Sequence, residues 1–286
     1  MITWGILGGD RRQLYLARSL REDGSTVFLH GLEELEGAQE FPWLSFEELC
    51  DRSQGILLPL PATRDGKVLN APYGREPIPL NDTFAEKLRG HTVLGGMVEK
   101  LRQSSRLWES ADLMDYFQRE ELTIGNAFLT AEAALALAIE NWPGGLAGSH
   151  CLVTGFGRIG KALCPGLRSL GAWVDCAARK PKDLAGIKAL GCQALTYSQI
   201  SRSYDLIFNT VPAPVLGEEI LHRQSSETLL MELASAPGGI DRDAAQRCGL
   251  HLLDAPSLPG RFSPKASGEL VKEAVYHILE ERRKLS

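Results

Sequence analysis

The sequence lacks the cysteine pattern of a metal-binding protein. Its six cysteines occur singly, with no C-x-x-C pair and no histidine at the spacing of a metal ligand. We therefore expect no metal site, and we expect most of these cysteines to be small apolar residues of a core.

An excess of positive charge is also absent. The chain has 31 lysines and arginines against 36 aspartates and glutamates, which gives a net charge of −5. The basic residues are scattered along the chain instead of forming one stripe. This distribution argues against a nucleic-acid-binding protein.

Long uninterrupted apolar runs are missing as well. Glu132 and Glu140 break the alanine-rich segment, so we expect no run to reach the roughly 20 residues that span a bilayer. The first residues, Met1 to Trp4, lack the basic region of a signal peptide. The sequence therefore predicts a cytoplasmic protein with no membrane contact.

The residues that are present predict two α/β domains. A chain of 286 residues with 44% hydrophobic side chains is long enough for two domains of ordinary size. Within residues 1–122, short apolar strands alternate with helical patterns; Trp4 to Leu7 ends in a Gly-Gly turn, and Gln13 to Asp23 has helical spacing. The segment Arg64 to Thr83 is rich in Pro, Gly, Asn and Asp, which is typical of a functional or disordered loop.

A Rossmann domain is predicted over residues 123–266. The region from Leu113 to Ile139 is strongly helical, with an interruption expected between Asn126 and Thr130, and we interpret it as the connector between the domains. Beyond it, strands and helices alternate, which predicts a parallel sheet covered by helices. The predicted fold class is therefore two doubly wound α/β domains.

Residues 267–286 are predicted to form an amphipathic helix. Their apolar side chains recur at helical spacing and lie opposite a mixed polar face. We expect this helix to pack on the first domain or on a second copy of the chain, and we expect a homo-oligomer.

The most informative motif lies between an apolar strand and a helix, in the G-x-G-x-x-G run of residues 155–160. In a dinucleotide-binding turn, the first glycine permits the tight turn, the second lets the backbone approach a pyrophosphate, and the third allows close packing of helix on strand. The residues expected to bind the cofactor are Gly155, Gly157, Arg158, Ile159 and Gly160. A glycine-rich turn that serves only packing is the alternative.

Two cations follow the next strand, where a Rossmann domain binds the adenosine ribose. Arg179 and Lys180 can hold a 2′-phosphate, whereas no carboxylate is available at the strand tip for a free 2′-hydroxyl. Asp175 comes too early in the strand for that role. The sequence therefore predicts NADP as the cofactor rather than NAD; the alternative is that both cations are simply solvated.

Two further loops are expected at the same edge of the sheet, because ligands of parallel sheets bind at the carboxyl ends of the strands. The loop residues are Asn209, Thr210, Val211 and Pro212 after one strand, and Leu233, Ala234 and Ser235 after the next. The first loop is predicted to contact ribose and nicotinamide, unless it forms only a structural turn. The second is predicted to approach the nicotinamide mainly through its backbone.

Two cations are candidates for binding an acidic substrate. Arg11 lies at the first strand–helix turn of the N-terminal domain, and Lys265 follows the last strand in a segment expected to cross a cleft between the domains. Lys265 can bind a carboxylate or assist proton transfer; a solvated surface lysine is the alternative. For Arg11 and its neighbour Asp10, the alternative is a helix cap with a local ion pair.

Several stretches together resemble the A-subunit family of bacterial dipicolinate synthase, the enzyme of spore-core calcium dipicolinate. These stretches are Gly8–Gln13, Asp115–Leu122, Asn126–Ala127, Thr130–Glu132, Gly155–Arg158, Ala234–Gly239, Leu258–Gly260 and Pro264–Lys265. They extend over nearly the whole chain. Local departures are Leu129 in place of an expected proline, Glu232 where an aspartate is more usual, and Ala236 in place of a basic residue.

The resemblance implies NADP-dependent formation of dipicolinate (pyridine-2,6-dicarboxylate) from a dihydro- or hydroxytetrahydrodipicolinate precursor in sporulation. It also implies that the partner is a second, flavoprotein-like B subunit. By the same resemblance, Arg11, Thr130 and Lys265 are expected to converge on the dicarboxylate substrate as catalytic residues. Such a substrate needs cationic donors, and its oxidation to an aromatic ring removes a hydride and protons.

The sequence leaves two alternative functions open. The loop at residues 209–212 locally resembles that of shikimate dehydrogenase, so another NADP-dependent dehydrogenase of the hydroxyacid or shikimate type is one alternative. The sequence lacks the histidine and Arg–Glu arrangement expected of a 2-hydroxyacid dehydrogenase. A non-catalytic NADP-binding subunit, active only with a partner, is the other alternative.

Overall fold

The computed structural model describes residues 2–285, and the chain forms two compact α/β units. The first unit contains the residues up to Asn126 and those from Ser263 onward; the second runs from Ala127 to Phe262. Met1 and Ser286, the terminal residues of the predicted domains, lie outside the described residues. Each unit is built on a parallel sheet, and the predicted fold class is confirmed.

The first unit has a five-stranded sheet in the order β2-β1-β3-β4-β5. Its strands are β1 (Thr3–Leu7), β2 (Thr26–His30), β3 (Gly55–Leu57), β4 (Thr92–Gly95) and β5 (Leu113–Asp115). Its helices are α1 (Arg11–Glu22), α2 (Phe46–Arg52), α3 (Asp82–Leu88), α4 (Glu99–Arg102) and, at the end of the chain, α11 (Pro264–Leu285). The apolar runs of β1 and β3 are almost wholly buried, as is usual for the inner strands of a parallel sheet.

Helix α1 begins directly after the Gly8-Gly9 turn because nearby residues cap it. The Asp10 carboxylate accepts a hydrogen bond from the backbone N–H of Arg12 (3.0 Å), and the Gln13 side-chain oxygen accepts one from the backbone N–H of Asp10 (3.0 Å). This reciprocal arrangement is a capping box. Both glycines have a positive φ, 62° and 101°, which glycine adopts most readily.

Helix α11 packs along α1 in the same direction. Near its start, Gly268 lies against the Arg12 carbonyl, and a Cβ there would come within 2.6 Å of that oxygen. Further along, Lys272 and Tyr276 both donate to the Asp23 carboxylate just beyond the end of α1, at 2.8 and 2.9 Å. The contacts advance in the same sense along both helices, so their amino-terminal ends lie at the same end of the first unit.

The second unit has a six-stranded sheet in the order β11-β10-β9-β6-β7-β8. Its strands are β6 (His150–Thr154), β7 (Trp173–Ala177), β8 (Gln193–Leu195), β9 (Leu206–Asn209), β10 (Leu229–Glu232) and β11 (His251–Asp254). Its helices are α6 (Arg158–Ser169), α7 (Pro181–Ala189), α8 (Glu218–Leu221), α9 (Arg242–Arg247) and α10 (Leu258–Phe262), and the chain enters it through α5 (Glu120–Asn141). This strand order is that of a Rossmann domain.

The region from Leu113 to Ile139 differs from its prediction in two ways. Residues 113–115 form strand β5, which pairs with Val93 and Leu94 of β4, and a short 3-10 turn (Tyr116–Gln118) follows. Helix α5 then runs through residues 126–130 without the expected interruption. Three residues are too few for their apolar pattern to distinguish strand from helix, so the pairing with β4 decides the conformation.

Helix α5 also corrects the expectation about apolar runs. By length and composition it qualifies as a helix that can cross a membrane, with a mean hydropathy of 1.6 over its most apolar window. Its alanines, including Ala134 and Ala138, are buried in the core of the second unit. One such helix is weak evidence for a membrane, because core helices of water-soluble proteins have the same composition.

Most of the cysteines are core residues, as predicted. Five of the six are buried, and Cys248 is partly exposed. Burial raises the pKa of Cys50 and Cys151 to about 11, so these thiols are protonated and unreactive near neutral pH. Among residues 2–285, no group of three or more His, Cys, Asp or Glu side chains is arranged to hold a metal ion.

Candidate functional site

In the turn between β6 and α6, the structure explains why the first and third positions of the G-x-G-x-x-G motif are glycine. Gly155 has a φ of +92°, and a Cβ there would lie 2.6 Å from the Thr210 hydroxyl oxygen. A Cβ on Gly160 would overlap the Gly155 carbonyl oxygen, so the helix approaches the strand more closely than a larger residue would allow. The fold itself therefore requires the first and third glycines.

Gly157 is different, because its missing side chain leaves room instead of relieving a clash. A Cβ there would meet no atom of the described residues within 4 Å. Gly157 is the N-cap of α6, and no side chain of the described residues caps this helix. The positive end of the helix dipole therefore faces open space at the place where a dinucleotide pyrophosphate would bind.

A cavity of about 270 Å³, which we call the cofactor cavity, lies in front of this turn. Its lining residues are Gly155, Phe156, Gly157, Ala178, Arg179, Lys180, Asp183, Tyr197, Thr210, Val211 and Pro212. It lies where the strand order reverses between β6 and β9, which is the usual ligand crevice of an open α/β sheet. The structure thus brings together the glycine turn, the two cations and residues 210–212 of the loop after β9.

The cations at the cofactor cavity have two neighbours that sequence reasoning misses. Arg179 and Lys180 are both exposed. Tyr197 lines the same cavity from beyond β8; its burial raises the pKa of its hydroxyl, while the nearby charge of Arg179 acts in the opposite sense. Asp183 contributes a carboxylate from the first turn of α7. The sequence offers one indication of each residue. Tyr197 follows β8 closely and Asp183 lies at the start of α7, and both positions are at the carboxyl edge of the sheet.

Asn209 lies at the end of β9, but its side chain is fully buried. Its amide nitrogen donates to the carbonyl of Val211 (2.9 Å) and to the carboxylate of Glu232 (2.6 Å). Its oxygen accepts from the hydroxyl of Thr154 (2.6 Å) and from the N–H of Val211 (3.2 Å). These four bonds use the full capacity of the amide, so the Asn209 side chain holds the loop in place instead of reaching a ligand.

Glu232, at the end of β10, joins the two loops of this edge. It is 5% exposed and accepts four hydrogen bonds, from the Asn209 amide (2.6 Å) and from the N–H groups of Ala234 (3.1 Å), Gly239 (2.9 Å) and Ile240 (3.2 Å). Four donors compensate for the burial of the carboxylate. In the sequence, Glu232 stands out only because an aspartate is more usual at this position. Its role could have been suspected because it is an acidic residue at the end of a buried apolar strand.

Leu233, Ala234 and Ser235 follow β10 at the expected edge. The Leu233 N–H donates to the Asn209 carbonyl (2.9 Å), and the Ala234 N–H is held by Glu232. Both amides are therefore used to set the course of the loop. Ser235 is exposed at its tip.

At the first turn of the first unit, the buried cation is Arg12 and not Arg11. The Arg12 guanidinium donates to the Asp10 carboxylate (2.9 and 2.8 Å) and to the Leu60 carbonyl (2.5 Å). Burial disfavours its charge, but the hydrogen bond and the charge of Asp10 outweigh this and raise the pKa of Arg12. The cap and the local ion pair thus belong to Asp10 and Arg12, whereas Arg11 is exposed as the first residue of α1.

The three residues expected to bind substrate are divided between the units. Lys265 is exposed in the first turn of α11. Because α1 and α11 begin at the same end of the first unit, Arg11 and Lys265 share that end, which is the carboxyl edge of the first sheet. Thr130 is 6% exposed and lies on α5 within the second unit.

Residues 3–116 match the family model for the N-terminal domain of the A subunit of dipicolinate synthase. Over 282 residues the chain is 28% identical to the dipicolinate synthase A subunit of Bacillus subtilis (strain 168), and the match covers 96% of this chain and 95% of the relative. The crystal structure of the A subunit of dipicolinate synthase from Bacillus halodurans matches with a TM-score of 0.86 and 27% identity, over 98% of this chain and 99% of that one. The resemblance inferred from the sequence is confirmed.

A more distant structure shares the fold alone. The transhydrogenase from Sinorhizobium meliloti matches with a TM-score of 0.70 at 15% identity, over 97% of this chain and 94% of that one. The architecture of two parallel-sheet units thus also occurs in a protein of very different sequence.

Proposed function

We propose that this chain, a relative of the A subunit of dipicolinate synthase, is an NADP-dependent oxidoreductase subunit that forms dipicolinate from a dihydro- or hydroxytetrahydrodipicolinate precursor. The observation that carries the proposal is the cofactor cavity. There a glycine turn that leaves room for a pyrophosphate and two adjacent cations line one crevice at the switch point of a Rossmann sheet.

The preference for NADP rests on the chemistry of the cavity rim. Arg179 and Lys180 provide two positive charges where the adenosine ribose of a Rossmann ligand lies. A 2′-phosphate receives charge-assisted hydrogen bonds from such groups, whereas a 2′-hydroxyl gains less from them. Tyr197 has a raised pKa and adds a neutral hydroxyl as a donor.

The remaining cofactor contacts belong to the turn and the two loops. Gly155, Gly157, Arg158, Ile159 and Gly160 would hold the pyrophosphate. Thr210, Val211, Pro212, Leu233, Ala234 and Ser235 would surround the ribose and nicotinamide, on loops held by Asn209 and Glu232. When bound, the nicotinamide ring supplies the hydride acceptor for the oxidation.

Arg11, Thr130 and Lys265 are the residues that we assign to the substrate. Two exposed cations suit a ring that carries two carboxylates. Aromatisation of a dihydropyridine dicarboxylate removes one hydride and one proton, and a hydroxytetrahydro precursor must also lose water. Lys265 is the group that we assign to a carboxylate or to proton transfer.

The partner and the setting belong to the same proposal. The relatives are each named as the A component of a synthase, so we propose that the partner is a flavoprotein-like B subunit. We further propose a homo-oligomeric protein of the cytoplasm, acting in sporulation, with a small dicarboxylate as substrate.

Titration of the full chain with NADPH and NADH tests the cofactor assignment. We expect NADPH to bind at least tenfold more tightly, and we expect Arg179→Ala to weaken NADPH binding about tenfold while leaving NADH binding unchanged, since one charge-assisted contact is lost. Lys182→Ala, an exposed cation outside the cavity lining, is the control. Equal binding of both nucleotides, with no effect of Arg179→Ala, would contradict the NADP assignment.

Incubation with the dihydrodipicolinate precursor and NADP, with and without the B subunit, tests the reaction. Dipicolinate formed by the chain alone supports a complete catalytic site on this protein. Product formed only by the mixture assigns the activity to the complex, as expected for an NADP-binding subunit that requires its partner. The absence of product from both would overturn the proposed reaction.

A further inference from the structure

We infer that the second unit carries another ligand site, at the amino edge of its sheet, for a planar aromatic anion. A cavity of about 810 Å³, which we call the amino-edge cavity, opens where β6, β7 and β8 begin. Its lining residues are His150, Arg168, Gly171, Ala172, Trp173, Val174, Asp175, Lys188, Gly191, Cys192, Gln193 and Arg202. The cofactor cavity lies at the opposite ends of the same strands, roughly 15 Å away for strands of five residues.

The charge of the amino-edge cavity is positive, although the chain as a whole is acidic. Arg168, Lys188 and Arg202 line it, and none of the three has an ion-pair partner within 4 Å among residues 2–285. The acidic lining residue Asp175 accepts a hydrogen bond from the Tyr204 hydroxyl (2.8 Å). Arg202 lies over the Tyr204 ring, 5.6 Å from its centroid, and leaves its charge without a counter-ion among the described residues. Three cations that lack a carboxylate partner around one concavity raise the local concentration of anions.

Trp173 gives the cavity an aromatic wall that the chain does not cover. Its side chain is 66% exposed, although large apolar side chains gain free energy from burial. The ring of His150 lies beside it, with centroids 6.5 Å apart and planes inclined by 25°. An exposed aromatic surface next to cations suits a planar, electron-rich ligand that stacks on the indole.

Arg168 is held in position for such a ligand. Its Nη1 donates to the Leu190 carbonyl (2.6 Å), which fixes one end of the guanidinium. Gly191, with a φ of +71°, lies directly under it, and a Cβ there would overlap Nη1. The guanidinium therefore lies against the loop before β8, and its fixed position lowers the entropy cost of binding a carboxylate or phosphate.

These features define the chemistry of the ligand as an aromatic ring that carries carboxylate or phosphate groups. One candidate ligand rests on the proposed function: the product of that reaction, pyridine-2,6-dicarboxylate, is a planar aromatic dianion. An adenine nucleotide is the other source of the same chemistry. Binding of the product so far from the cofactor cavity would give the enzyme a means of feedback regulation.

Calorimetric titration of the full chain tests the site with two probes, pyridine-2,6-dicarboxylate and AMP. We expect at least one of them to bind in a Trp173-dependent manner. Trp173→Ala and Arg168→Ala should each weaken that binding about tenfold, whereas Trp173→Phe, which keeps an aromatic face, should weaken it less than threefold. Arg247→Ala, an exposed arginine of α9 outside the cavity, is the control and should have no effect.

Two further measurements separate the stacking from the electrostatic part of this binding. cis-Cyclohexane-1,3-dicarboxylate carries two carboxylates on a saturated ring with no basic nitrogen, so it has the same charge as the aromatic dianion, and it should bind at least tenfold more weakly; equal binding would overturn the stacking argument. Raising NaCl from about 0.05 to about 0.5 M should weaken the binding several-fold, because salt screens the three cations. Which of AMP and the dicarboxylate binds more tightly identifies the source of the ligand.

The inference fails if neither probe binds, or if Trp173→Ala and Arg168→Ala bind both probes as the wild type does. A changed sedimentation of Trp173→Ala without any probe binding would also overturn it, in favour of a protein contact. The proposed function is tested separately. The binding titrations can be read even if the wild type forms no dipicolinate, and Trp173→Ala should form dipicolinate at the wild-type rate at low product concentration.

Discussion

At the scale of single residues, the cofactor edge depends on one buried carboxylate. Glu232 receives donors from the end of β9 and from the loop after β10, so the two loops at this edge share one acceptor. The Asn209 side chain also accepts a hydrogen bond from the hydroxyl of Thr154, at the end of β6. The carboxyl ends of three strands are therefore coupled through buried polar groups.

Glu232→Gln is expected to destabilise the second unit by about 2–3 kcal/mol, because the new amide nitrogen faces donors and leaves a buried N–H group without an acceptor. The measurement is urea unfolding of the full chain, with NADPH affinity measured in parallel and expected to fall. Glu227→Gln, at an exposed position before β10, is the matched control. Equal unfolding curves for the two variants would contradict the role assigned to Glu232.

At the scale of elements, the most extensive helix contact of the first unit is that between α1 and α11. Gly268 permits it, because backbone atoms of α1 occupy the space that a side chain would need. Polar contacts at the other end, between Asp23 and the pair Lys272 and Tyr276, complete the alignment. The last helix of the chain is therefore an integral part of the first unit.

Gly268→Ala is expected to lower the free energy of unfolding by about 1–3 kcal/mol, since the methyl group must push the two helices apart. A decrease is informative, because a Gly→Ala change in an exposed helix would instead raise the free energy of unfolding by about 1 kcal/mol. Thermal unfolding followed by circular dichroism measures it, with the exposed Glu273→Ala on the same helix as control. A more stable Gly268→Ala protein would refute the close packing.

The Asp23 contact predicts a pH dependence. Hydrogen bonds from Lys272 and Tyr276 lower the pKa of Asp23 from its usual value of 3.8. A lowered folded-state pKa contributes stability above the unfolded pKa, and this contribution is lost as the pH falls through the folded value.

The stability difference between the wild type and Asp23→Asn should therefore be constant above about pH 5 and shrink below about pH 4. Its size should stay below about 1 kcal/mol, because the contact is exposed to solvent. Chemical unfolding at several pH values measures it, with Glu273→Gln as the control. A difference that grows on acidification would show that the charge of Asp23 does not stabilise the folded state.

At the scale of the whole molecule, the chain begins in one unit, passes through the second and returns to the first. The second unit is thus a continuous insertion between two parts of the first. The binding features assigned to the cofactor all lie in this continuous part, whereas Arg11 and Lys265 come from opposite ends of the sequence.

Saturation with NADPH is expected to stabilise the second unit in particular. At a concentration of about 100 times its Kd, a ligand that binds only the folded state adds about 2.7 kcal/mol, or several degrees in Tm. Scanning calorimetry of the full chain measures this, with NADH at the same concentration as comparison. Equal shifts with both nucleotides, or no shift with NADPH, would contradict the cofactor proposal.

Features that depend only on residues adjacent in the chain were predictable from the sequence. The strand, the glycine turn and the helix at residues 150–169 follow from local apolar pattern and backbone freedom, and so does the position of Arg179 and Lys180 after β7. The strand at Leu113–Asp115 was not predictable, because three residues carry too little periodicity and β4 supplies the partner. Helix α5 continues through residues 126–130 into a segment whose alanines, among them Ala134 and Ala138, are buried in the core of the second unit.

The sequence by itself determined the class of fold, the dinucleotide turn and the resemblance to the A subunit of dipicolinate synthase, since each resides in contiguous residues with their own physical signature. Only the tertiary structure decided that Asn209 faces inward to Glu232, that Arg12 instead of Arg11 pairs with Asp10, and that Tyr197 and Asp183 line the cofactor cavity. It also decided that Trp173 and three cations, which have no ion-pair partner among the described residues, line a cavity at the opposite edge. These contacts join residues far apart in the chain, and their energies depend on burial and on partners that no local pattern specifies.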